Sequence, residues 1–202
     1  YAMDGFDLLI LGFMLTLISG DLGLTTGQAG SLVTWTLVGA VIGGFIFGTL
    51  SDKFGRVRVL TWTIVLFAVF TGLCAFAQGY WDLLIYRTIA GIGLGGEFGI
   101  GMALAAEAWP AQHRAKATSY VAIGWQLGVL AAALLTPVLL PYIGWRGMFM
   151  VGIIPAFVAW FFRAKLHEPE IFVQSKEIKE HSHTNSFKLL VKDVRTTKTS
   201  IG

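Results

Sequence analysis

The sequence predicts an all-α polytopic membrane protein, a bundle of six transmembrane helices, on three observations. The 202-residue chain is 55% hydrophobic and only 13% charged, with a mean hydropathy of +0.69, where soluble domains carry roughly 25% charged residues. Six apolar segments follow one another, and basic residues gather at every second connection between them. A soluble fold of this size lacks the polar surface to cover so much apolar material, and a bilayer removes that requirement.

The segments, in order, are 6–20; one within the charge-free stretch 22–51, after a turn at 23–28; 59–77; 81–106, interrupted by Arg87 and Glu97; one within 117–140; and 145–162. Most approach the ~20 residues that cross ~30 Å of hydrocarbon at 1.5 Å per residue. Each is expected to be helical, because lipid satisfies no backbone polar group. Tyr1 opens inside an apolar run, with no basic region or cleavage site that would mark a signal peptide. Both ends are read as cuts in a longer protein.

Orientation follows from the charges. Lys53, Arg56 and Arg58 occupy the second connection; His113, Arg114 and Lys116 occupy the fourth; Arg163 and Lys165 follow the sixth segment. The connections at 20–28 and 78–82 carry acids only, and the one at 141–146 carries a single arginine. The basic loops are expected on the cytoplasmic side, placing the first helix start and the exit from the sixth there. The domains are read as 1–166, the helical bundle, and 167–202, a cytoplasmic linker rich in Lys, His, Ser and Thr with a short amphipathic stretch near 187–191. His181 and His183 in that linker lack the further ligands a metal site needs, so no metal and no cofactor is expected. Cys74, the one cysteine, is expected to be inert packing.

Of 25 glycines, Gly39, Gly43, Gly44 and Gly48 fall on the second helix and Gly91, Gly93, Gly95, Gly96 and Gly99 on the fourth. Small residues at such spacing let helix backbones approach closely.

Four charges lie where lipid makes them expensive: Asp4, Asp7, Arg87 and Glu97. Asp4 and Asp7, three apart, share one helix face. Counting the helical rise, Asp7 lies about 18 Å and Glu97 about 22 Å below the outer boundary, so the two acids are expected to meet, with Arg87 only about 8 Å deep. Burial disfavours a charged carboxylate, and a neighbouring acid strengthens that effect. Such a group takes a proton on one side and loses it on the other, while an arginine stays charged and grips a carboxylate in two-pronged fashion. The four residues are therefore candidates for proton and substrate coupling. The competing reading is that Arg87 and one acid form a structural ion pair. Trp35, Phe98, Trp125 and Gln126 are candidate cavity-lining residues, against the plainer role of packing. Trp81 and Trp145 suit interfacial anchors.

The connection Gly48-Thr-Leu-Ser-Asp52-Lys53-Phe-Gly55-Arg56-Val-Arg58 resembles the signature loop between helices two and three of the major facilitator superfamily. Arg87 with Gly91, Gly93 and Gly95 is similar to that family's fourth-helix motif. Glu107-Ala-Trp-Pro110-Ala-Gln-His-Arg114 resembles the segment after helix four in sugar-porter-like members, Gly144-Trp145-Arg146 the turn into helix six, and Glu168-Pro169-Glu170 the acidic segment after it. The resemblance covers the chain to about residue 172. It implies the six-helix N-terminal bundle of a twelve-helix fold, and a cytoplasmic gate network of Gly48, Asp52, Lys53, Gly55, Arg56, Glu107 and Arg114. In that network Asp52 pairs with a base near a neighbouring helix start and Arg56 pairs with an acid.

Asp4-Gly5-Phe6-Asp7 resembles the first-helix motif of aromatic-acid:proton symporters, whereas Gly95-Gly96-Glu97-Phe98-Gly99 with Glu107-Ala108-Trp109-Pro110 looks like sialic-acid and monocarboxylate proton symporters. Gly124-Trp125-Gln126-Leu127-Gly128 stands where drug antiporters carry a Gly-Pro motif. The implied function is proton symport of a small organic anion across the inner membrane, with the proton as coupling ion and the lipid bilayer as surroundings. A facilitator or exchanger for a sugar or neutral metabolite, and a non-transporting membrane module, are the alternatives. An enzyme is not expected, since no phosphate loop, metal cluster or nucleophile with a paired base is present, and no nucleic-acid partner is expected.

Overall fold

A computed structural model describes residues 2–163, and they form an all-helical array. Helix α1 is Ala2–Leu22, α2 Thr26–Phe54, α3 Arg56–Cys74 and α4 Tyr80–Ala108. A 3-10 turn at Ala111–His113 leads into the helical run Arg114–Arg163. That run is broken at Gly144, whose φ of 65° and ψ of −179° are non-helical, into α5 (114–143) and α6 (145–163). The six segments read from the sequence are thus six helices. The linker expected at 167–202, with His181 and His183, lies outside the described residues.

Two glycines shape the connections. Gly55 is the sole residue between α2 and α3, with φ 106°, a region that side chains with a Cβ rarely enter. The connection expected over 52–58 is therefore one residue long, and both helices run on into the charged segment. Gly144 plays the same part between α5 and α6. At the start of α2, Thr25 and Gln28 form a capping box, the Thr25 amide donating to Gln28 Oε1 (2.9 Å) and the Gln28 amide to Thr25 Oγ1 (3.3 Å).

The polarity is inverted relative to a water-soluble bundle. Val41, Phe45, Leu134 and Tyr142 are exposed, while Asp4, Asp7, Arg87 and Glu97 are buried to 1% exposure or less. Apolar exteriors over buried charges suit a lipid solvent, and the five helical runs are each long and apolar enough to cross a bilayer. Helix α1 is central: Ile10, Leu11, Met14 and Ile18 have no exposure and pack with Leu83, Met148 and Phe149.

The α2–α4 crossing explains the glycine pattern. A Cβ on Gly39 would strike the Thr88 carbonyl, and one on Gly43 the Ile92 carbonyl; reciprocally, Gly91 lies on the Thr36 carbonyl and Gly95 on that of Ala40. The two backbones touch at a spacing that admits no side chain.

Candidate functional site

The buried charges sit on α1 and α4. Arg87 donates from Nη1 to Asp7 Oδ1 (3.1 Å) and from Nη2 to Asp7 Oδ2 (2.8 Å). Both side chains are enclosed, at 0% and 2% exposure, and the Arg87 Cζ lies 5.8 Å from the Phe149 ring centroid on α6. The expectation that Asp7 meets Glu97 is corrected: both Asp7 oxygens are taken by Arg87. The depth count treated Arg87 as a point on the helix, whereas its side chain reaches along the bundle to Asp7. Glu97, ten residues further along α4, is displaced by about 15 Å of helical rise.

A cavity of about 720 Å³ lies between α1, α2, α4 and α5, lined by Asp4, Leu94, Phe98 and Trp125 among others. Gly95, Phe98 and Gly99 on its wall flank buried Glu97 along α4. The structure thus places Asp4 on the cavity and Glu97 at its level. Phe98 and Trp125 meet edge to face, centroids 6.3 Å apart, giving the apolar wall an aromatic corner. Trp35 and Gln126 do not line this cavity, and both are exposed. At about 100° per residue, Trp35 is turned about 160° from Leu37 and about 120° from Val41, which face the cavity. Gln126 is turned about 100° from Trp125.

At the Gly55 end, Arg56 bridges two acids. Its Nη2 is 3.3 Å from Asp52 Oδ1 and its Nε 2.7 Å from Glu107 Oε2 at the end of α4. Arg56 is itself the first residue of α3, so it answers both pairings implied for Asp52 and Arg56. Gly48 lies on α2 with open space where a Cβ would stand, and Gly55 supplies the turn. Lys53 stacks over Phe54, Nζ 5.8 Å from its centroid. Arg114 stands exposed at the start of α5, and no ion pair joins it to this cluster among the described residues.

A second polar cluster lies at the Gly144 end, where the sequence showed the Gly144-Trp145-Arg146 motif but not its partner Asp21. Asp21 Oδ2 accepts from Trp145 Nε1 (3.0 Å) and from Arg146 Nη1 (2.6 Å), and Arg146 Nη2 donates to the Ala77 carbonyl (3.2 Å). Trp145 is 5% exposed, so its expected role as an interfacial anchor is corrected: its ring packs inward and its N–H is satisfied by protein. Trp81, at 70% exposure, keeps that character. Cys74 is buried, its thiol donating to the Phe70 carbonyl (3.2 Å).

Comparison with known proteins agrees with this arrangement. Residues 1–200 match the sequence profile of the Major Facilitator Superfamily. A putative metabolite transport protein of Haemophilus influenzae is 76% identical over 100% of this chain and 51% of its own length. A probable 4-methylmuconolactone transporter of Cupriavidus pinatubonensis is 40% identical over 88% of this chain and 42% of its own. The chain therefore spans about half the length of these relatives. The solved structure of the xylose transporter XylE from E. coli shares its fold, with a TM-score of 0.77 at 24% identity over 89% of this chain and 48% of that one.

Proposed function

Because the chain belongs to the Major Facilitator Superfamily, and so to a family of membrane transporters, we propose that it forms the first half of a secondary transporter that moves a small organic anion together with protons. The observation that carries this reading is the burial of three carboxylates and one guanidinium among the described residues of α1 and α4. Arg87 neutralises Asp7. Asp4, on the cavity wall, and Glu97, at its level, add two further carboxylates to the bundle interior. An acid that gains a proton beside a substrate and loses it on the other face couples the two movements.

The aromatic corner at Phe98 and Trp125 suits the apolar body of an organic acid. One relative is a probable 4-methylmuconolactone transporter. In this reading the bundle rocks against a second half about the midplane site to expose it alternately. The Arg56 cluster helps close the cytoplasmic side, in an inner-membrane setting. Asp4, Asp7, Glu97 and Arg87 are the coupling residues.

The test is uptake by cells producing the protein at its native length, with radiolabelled lactate, 4-hydroxybenzoate and sialic acid, with and without a protonophore. Protonophore-sensitive accumulation of any one is the expected result. Accumulation indifferent to the proton gradient would replace symport with facilitation or exchange.

A further inference from the structure

We infer that Phe149 is a positioning residue for the buried ion pair, its ring face holding the Arg87 guanidinium in place when the Asp7 carboxylate is neutralised. The inference rests on the proton-coupling reading, because only a coupling acid passes through a neutral state during transport.

A charged Asp7 offers Arg87 two acceptor oxygens. A neutral Asp7 turns one of them into a donor or a weak acceptor, and the guanidinium keeps its charge. A buried cation that loses its counter-charge is strongly destabilising, and Arg87 is fully enclosed. Its Nε already lacks a hydrogen-bond partner. What remains beside it is the Phe149 ring, 5.8 Å from Cζ, and the Cys74 thiol. An aromatic face attracts a desolvated cation, and it does not titrate, so its hold persists when Asp7 is neutral and carries a larger share there, once the carboxylate charge is gone.

The ring is itself fixed. Phe149 has no exposure and meets Trp145 edge to face at 6.1 Å. Trp145 and Phe149, four apart, share one face of α6. Trp145 is tied to Asp21 by its indole N–H, directly after the Gly144 break. Plain core packing would also bury a phenylalanine here, but it does not require the ring to lie over a guanidinium.

The test is a double-mutant cycle in thermal stability on the native-length protein in detergent: Asp7→Asn, Phe149→Leu and the pair. Leu keeps an apolar side chain and removes the ring face. The expected double mutant melts about 5 °C below the sum of the two single shifts, and Phe67→Leu, a buried phenylalanine on α3, adds to Asp7→Asn without such an excess. An additive cycle at Phe149 overturns the proposal, as does failure of Asp7→Asn to fold with Phe149 intact. The cycle needs no substrate, which separates it from the coupling reading. An additive cycle with proton-driven uptake lost in Asp7→Asn removes Phe149 and keeps the coupling. A coupled cycle with normal uptake by Asp7→Asn keeps the hold of Phe149 on Arg87 and removes the coupling.

Discussion

Asp7 on α1 and Arg87 on α4, 80 residues apart in sequence, close a two-pronged ion pair whose atoms are sealed from both faces of the bundle. A buried pair of this kind adds little net stability over an apolar substitute, because desolvation offsets the attraction. Strength alone therefore does not account for the pair, which makes it the first place to test the proposed proton coupling.

Asp7→Asn removes the titrating group while keeping a side chain of similar shape that still accepts a hydrogen bond from Arg87. The variant is expected to insert and reach the membrane at near-normal levels and to lose proton-driven uptake. Uptake with and without a protonophore, normalised to membrane content, checks this. Normal accumulation would remove Asp7 from the mechanism.

The α2–α4 contact gives a prediction about stability alone. In Gly43→Ala the new methyl meets the Ile92 backbone, and a backbone cannot rotate away as a side chain can. Overpacking of this sort costs about 3 kcal/mol at the upper end of the usual range. Gly12→Ala on α1 meets nothing within 4 Å and is expected to gain about 0.5–1 kcal/mol from helix propensity and a less flexible unfolded chain. Opposite shifts in melting temperature are the expected outcome. Equal shifts would mean that α2 and α4 do not cross as closely as Gly43 and Gly95 imply.

The sequence made the helices legible because lipid imposes one pattern on each: a long apolar run with charges at its ends. The break at Gly144 and the turn at Gly55 were legible as positions, since both glycines sit in quoted loop motifs, but the one-residue length of the Gly55 connection was not. Charged residues in 52–58 read as loop, yet helix ends tolerate charge once they leave the hydrocarbon. The buried charges were also legible as a set. Their pairing was not, because helical rise fixes the depth of a Cα and says nothing of where a long arginine side chain leads. Phe149 looked like an ordinary apolar residue and Trp145 like an interfacial anchor; their place beside Arg87 and Asp21 comes from the rotation of α6, which periodicity in a uniformly apolar helix does not reveal.

Arg56 joins three helices by contacting Asp52 on α2 and Glu107 on α4 from the first residue of α3. Its side chain is 19% exposed and that of Glu107 27%, so the attraction is partly screened. In a cycle of Arg56→Gln, Glu107→Gln and the double variant, the coupling energy is expected at about 0.5–1 kcal/mol in stability. Raising the salt concentration should shrink it. A coupling of zero at low salt would show that Arg56 and Glu107 do not form the 2.7 Å contact in the membrane.

The cavity at Asp4 separates binding from coupling. Trp125 offers apolar area and a ring edge to whatever occupies it, and Phe98 meets it at 6.3 Å. Trp125→Leu keeps the site apolar but removes the aromatic corner, an interaction of about 1.4 kcal/mol, so KM for the accumulated anion should rise about tenfold with the maximal rate little changed. Asp4→Asn should act the other way, lowering the maximal proton-driven rate more than it raises KM, because a group needed for the proton step acts after binding. Initial rates over a range of substrate concentrations, with the two variants side by side, resolve the split. If Trp125→Leu leaves KM untouched while Asp4→Asn raises it, the roles are exchanged: Asp4 then contacts the substrate directly and the aromatic corner is packing.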